Sequence, residues 1–186
     1  MKYNINEINK QLEEKIIISN TKIKNEIGRI KRGDILIFDK EQLIETLNTF
    51  EQNWLSENKV TFIYNIDNNI KIENYIYASI MKEKIPNDIY EDIINKKPEL
   101  WKKYKELTKN KQLYIQNSKS EKISSDFRTI KNELGVIDLF LIIDNEIDNI
   151  KLEKYYWNSY NCTMIIITDI DKFPLNTNNK NIKLIY

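Results

Sequence analysis

The stretch ISSDFRTIKNELGVIDLFLIID, Ile123 to Asp144, decides the fold class. Its first half spaces Phe127, Ile130 and Leu134 at three and four residues, the period of a helix with one apolar face. Ser124 or Ser125 can cap that helix at its start, and Gly135 stands where a helix end favours a left-handed residue. The second half, Val136–Ile143, begins at once and is largely β-branched and apolar, the pattern of a strand buried on both faces in a parallel sheet. It ends on a carboxylate, Asp144.

The same alternation extends in both directions. Strand-like apolar runs occur at Ile35–Phe38, Val60–Ile66, Leu113–Gln116, Leu139–Ile143, Met164–Thr168 and Ile182–Tyr186. Between them, Glu41–Leu55 places Leu43, Ile44, Leu47, Phe50 and Trp54 on one helical face, and a second helical pattern runs over about Ile70–Met81. A third follows Pro98, which suits a first helical turn, and puts Leu100, Trp101, Tyr104 and Leu107 on one side. Strands separated by helices predict an α/β fold with a mainly parallel central sheet covered on both sides. The polar N-terminal helix expected at about Ile5–Ile17, with Ile5, Ile8, Leu12 and Ile16 on one face, reads as an arm over residues 1–17. Residues 18–186 read as one α/β domain.

Composition excludes several function classes. The 186 residues carry 29 Lys and Arg against 28 Asp and Glu, a net charge of +1, so no global field selects a polyanion and nucleic-acid binding needs a local patch. There is no histidine and one cysteine, Cys162, which rules out an internal disulfide, Cys/His zinc sites and Ser-His or Cys-His nucleophile pairs. The N-terminus lacks the apolar core of a secretory signal, and no apolar run approaches the roughly 18 to 20 residues that span a bilayer. A cytoplasmic location is the default expectation, with no membrane partner.

In order and spacing, these pieces resemble the RecA-type core of hexameric replicative helicases of the DnaB type, over Ile18 to Tyr186. GRIKRGDILIF, Gly28 to Phe38, is similar to the lead-in to that family's first strand, and KVTFIYNID, Lys59 to Asp67, to its second, which ends in a catalytic glutamate. Leu113 to Asp144 is the best match and puts Asp144 at the Walker B aspartate. CTMIIITDIDK, Cys162 to Lys172, resembles the next strand, with Thr168 or Asp169 in place of a nucleotide-sensing glutamine. The resemblance implies a RecA-like three-layer fold, with the first strand lying between the fourth and fifth.

The departures are chemical. A phosphate-binding loop needs G-x-x-x-x-G-K-[ST], whose glycines let backbone amides approach the phosphates. Between Phe38 and Leu43 this chain offers only Asp39, Lys40, Glu41 and Gln42, and its 3 glycines are Gly28, Gly33 and Gly135. Asp39 and Glu41 put negative charge where a triphosphate would sit. No ATP hydrolysis and no cofactor are expected, and Asp67 and Asp144 read as vestigial positions.

Other residues admit other chemistry. Acidic residues at strand carboxyl ends, Asp144, Asp169 and Asp171, offer a magnesium site of hard oxygen ligands. The pair Asp169 and Asp171 is similar to the D-x-D of Toprim nucleases, whose additional glutamate has only Glu41 as a counterpart here. In the bland alternative these residues cap helices and form turns. Arg29, Lys31 and Arg32, and Lys102 and Lys103 beside Trp101 and Tyr104, offer phosphate contacts and stacking for nucleic acid. Three function classes follow: a catalytically inactive helicase-like module binding a helicase, its loader or another replication protein; a magnesium-dependent phosphodiester enzyme; or a self-associating structural or regulatory protein unrelated to helicases.

Overall fold

Six short strands pair in parallel throughout to form one sheet in the order β3-β2-β4-β5-β1-β6. They are β1 Ile35–Asp39, β2 Thr61–Asn65, β3 Leu113–Asn117, β4 Leu139–Ile143, β5 Thr163–Thr168 and β6 Ile182–Ile185. This is a computed structural model, and it describes residues 16–55, 59–67, 70–73, 75–76, 102, 105–106, 109, 113–119, 122–158, 162–172 and 180–185. The helices that position the site are α1 Thr21–Ile27, α2 Leu43–Leu55, α3 Ile123–Leu134 and α4 Asn149–Asn158.

The sheet is apolar on both faces, and helices cover each. Leu36, Phe38, Ile63, Leu141 and Ile165 meet Ile23 of α1 and Leu47, Phe50 and Trp54 of α2 on one side. Ile35, Phe62, Phe140 and Ile166 meet Phe127 and Ile130 of α3 and Leu152 and Tyr155 of α4 on the other. This is the three-layer α/β arrangement that the buried strands imply, since a sheet apolar on both faces must be covered twice.

Several expectations are corrected. Counting all six strands, β1 lies between β5 and β6, not between the fourth and fifth, because β3 takes a place at the far edge beside β2 and shifts the numbering by one. Neither Ser124 nor Ser125 caps α3. The helix starts a residue earlier at Ile123, which is 2% exposed and drawn into the core, so Lys122 stands at the N-cap without a side-chain bond. β4 coincides with the apolar run Leu139–Ile143 and does not start at Val136, whose side chain is exposed; the backbone N–H groups of Asp138 and Leu139 both reach Val60 O before regular pairing starts. Ile44 also faces outward, because α2 presents its Leu43, Leu47, Phe50 and Trp54 face to the sheet. Gly135 does take positive φ, 79°, and its N–H closes α3 onto Lys131 O.

Residues 16–20 are not helical but run along α2. Ile17 and Asn53 exchange two hydrogen bonds of 3.0 and 2.8 Å, and Ser19 N–H donates to Thr49 O. The rest of the expected N-terminal helix, residues 77–81 of the Ile70–Met81 pattern, and Leu100, Trp101, Lys103, Tyr104 and Leu107 lie outside the described residues.

Candidate functional site

The carboxyl ends of β1, β2, β4 and β5 gather the acidic residues, as expected for the ligand end of an open parallel sheet. The link between β1 and α2 carries no loop of glycines. It is a three-residue 3-10 turn, Lys40–Gln42, capped by Asp39, whose carboxylate accepts Glu41 N–H at 2.7 Å and Ile170 N–H at 3.3 Å. Asp39 thus ties the end of β1 to the turn after β5. Asp39 and Glu41 also supply negative charge ahead of α2, where the helix dipole favours it and an anionic ligand would otherwise bind.

Asp67 and Asp144 are both closed by the chain's own side chains. Asp67, just past β2, is 5% exposed and accepts Lys40 Nζ at 2.8 Å and a hydrogen bond from Asn145 Nδ2. Asp144, just past β4, is 2% exposed. It accepts Tyr155 OH at 2.8 Å, Lys151 Nζ at 3.3 Å and the backbone N–H of Glu146 at 3.1 Å. Lys151 and Tyr155 are four residues apart, so one face of α4 presents a cation and a phenol to the strand end.

The sequence signals Asp67 and Asp144 but misses Lys40, Asn145, Lys151 and Tyr155, which complete their surroundings. For Lys151 and Tyr155 a signal did exist: a lysine and an aromatic at helical spacing on the helix directly after the carboxylate. For Lys40 none did, because its partner lies 27 residues away on another strand.

Asp144, Asp169 and Asp171 are not brought together as a ligand set. Asp169 and Asp171 instead line a cleft of about 640 Å³ with Asp39, Lys40 and Glu41. Among the described residues, no group of three His, Cys, Asp or Glu is placed to hold a metal ion. Arg29, Lys31 and Arg32 lie at the opposite, amino end of the strands, in the loop leading into β1. Lys183 fixes that loop by donating to Ile27 O at 3.1 Å and Arg29 O at 2.7 Å. Lys102 is exposed. Cys162 is a buried thiol outside any disulfide, directly before β5.

Two phenols line the same sheet end, Tyr155 and Tyr64. Burial pushes the Tyr64 phenol up from 10.0 to about 12, a hydrogen bond from Ser118 opposes the rise, and the Asp126 carboxylate that accepts its proton adds to it. Tyr155 is raised further in the same direction, by burial first and by the charge of Asp144 second. The fold therefore favours both neutral phenols. Their contribution is fully present below pH 10.0 and is lost as pH rises through the folded-state value, because the unfolded chain gives up the proton first. Denaturant midpoints measured against pH are expected to fall steeply from pH 10.0 towards about 12, and Tyr64→Phe to flatten that fall. A flat profile in the parent protein contradicts the assignment.

No protein-family model matches the chain, and no curated protein matches it.

Proposed function

We propose that this chain is a catalytically inactive RecA-like domain of the DnaB helicase type, acting as a protein-binding scaffold in DNA replication. One observation carries the reading: the carboxylates at both positions that resemble an ATPase's catalytic acids are neutralised from within, Asp67 by Lys40 and Asp144 by Lys151. A carboxylate that serves magnesium and a nucleotide keeps its oxygens open to them, whereas these are held by lysine, phenol and backbone donors. With β4, β5 and β1 side by side in a parallel sheet, the turn after β1 and Asp144 share one end of the sheet. On this reading the turn Lys40–Gln42 stands in for a phosphate cradle, and with its cap Asp39 it offers the carboxylates of Asp39 and Glu41 instead.

On this reading the scaffold outlived its chemistry, and its role lies in its surfaces. The test is size-exclusion chromatography with the DnaB-type helicase of the same organism, followed by an unwinding assay. Co-elution and a changed unwinding rate are expected. Separate elution with unchanged unwinding dismisses the helicase as the partner.

A further inference from the structure

We propose that Asp67, Asn65 and Asn145 form a site for a hard metal cation, calcium by its donor types, and that the ammonium of Lys40 occupies this site in the free chain. Alternation along β2 sets Asn65, and Asp67 beyond the strand, on the side of Ile63, the face covered by α1 and α2. Asn145 reaches the same carboxylate from the end of β4, its Nδ2 donating to Asp67. Asp144 is held separately, by Tyr155 and Lys151 of α4.

Two buried oxygens point to a ligand. The Oδ1 atoms of Asn65, which is 3% exposed, and of Asn145 meet no hydrogen-bond donor among the described residues. Their nitrogens fix which way they face. Asn65 Nδ2 donates at 2.8 Å to both Ile70 O and Asn117 Oδ1 of β3, which turns its oxygen towards β4, on the other side of β2. Asn145 Nδ2 is committed to the Asp67 carboxylate, and an amide oxygen lies about 2.2 Å from its own nitrogen. Asn145 Oδ1 is therefore within about 5 Å of an Asp67 oxygen. Two oxygens that share a calcium ion, each at about 2.3–2.6 Å, also lie at most about 5 Å apart. Buried acceptors left without a donor are rare, and an ion is one of the few groups that satisfies them.

Charge and access fit the same ligand. One carboxylate and two neutral amides suit an ion that takes carboxylate and Asn carbonyl oxygens together with water. Lys40 Nζ sits 2.8 Å from Asp67 Oδ2, yet its side chain is 37% exposed, so the ammonium can withdraw into solvent. Lys40 also lines the cleft of about 640 Å³ with Asp39, Glu41, Asp169 and Asp171, an acidic approach that raises the local concentration of cations. Entry of the metal displaces Lys40 and releases the tie between the turn Lys40–Gln42 and β2. The site does not depend on descent from an ATPase or on a replication partner.

Calorimetric titration of the full chain with calcium chloride tests this. Folded Lys40→Met protein, checked by circular dichroism, is expected to bind one calcium at least about tenfold more tightly than the parent, because the competing charge is gone. Lys40→Gln serves the same purpose if Lys40→Met does not fold. At matched ionic strength, calcium is expected to raise the urea midpoint of the lysine variant more than that of the parent. Adding Asp67→Asn or Asn145→Leu to the lysine variant is expected to abolish the binding. A folded lysine variant with no saturable calcium binding overturns the proposal. So does binding that survives both added changes, which places the ion on the carboxylates of the cleft.

Discussion

Replacing Asp144 with alanine is expected to lower the unfolding free energy by about 2–4 kcal/mol, read from urea denaturation. The carboxylate is 2% exposed and satisfies three donors at once: Tyr155 OH, Lys151 Nζ and Glu146 N–H. Removing it strands a phenol that is itself 1% exposed, and a buried unpaired hydroxyl costs about 1–3 kcal/mol. Lys151 is 28% exposed and regains much of its hydration, which keeps the total below that of a fully buried broken pair. Tyr155→Phe removes part of the same arrangement, so the double variant is expected to cost about 1–2 kcal/mol less than the sum of the two single changes. The sign of the effect matters most. An acid kept for chemistry is commonly held at the expense of stability, and its removal stabilises the fold. A more stable Asp144→Ala protein therefore contradicts a structural role.

The second large effect belongs to Phe140→Ala, expected to cost about 3–5 kcal/mol in the same measurement. Phe140 lies in the inner strand β4 and is fully buried, stacked on Phe62 with centroids 5.0 Å apart and against Phe127 of α3 at 4.7 Å. Phe62 in turn meets Tyr64 and Tyr114 edge-on at 5.9 and 5.7 Å. Phe140 thus links α3 directly to β2 and, through Phe62, to β3, and alanine leaves a cavity that rigid β-strands cannot close. Against a typical total of about 5–15 kcal/mol, that is a large share of the stability. Phe140→Leu, which keeps most of the volume, is expected to cost less than half as much. A loss below about 1 kcal/mol for alanine contradicts the packing described for this face.

The elements legible in the sequence are those whose signal is local. All six strands fall where apolar β-branched runs predict them, and Leu43, Leu47, Phe50 and Trp54 do line the buried face of α2. Gly135 takes the positive φ that its place after Leu134 suggests. Errors arise where a tertiary contact overrides the local pattern. Ile123, pulled into the core, starts α3 ahead of both serines, and contacts with Val60 delay β4 past Val136. At the candidate site the acids themselves are legible, because carboxylates after buried strands stand out. Their neutralisation is not, because Lys40 and Asn145 reach Asp67 from two other strand ends.

On the proposed reading the strand-end carboxylates close the fold rather than serve a nucleotide. Calorimetric titration of the intact chain with magnesium-ATP tests it most directly. No saturable heat is expected up to about millimolar ligand, a limit of about −4 kcal/mol in binding free energy. One-to-one binding tighter than that, abolished by Asp144→Asn in a protein that remains folded, would contradict it.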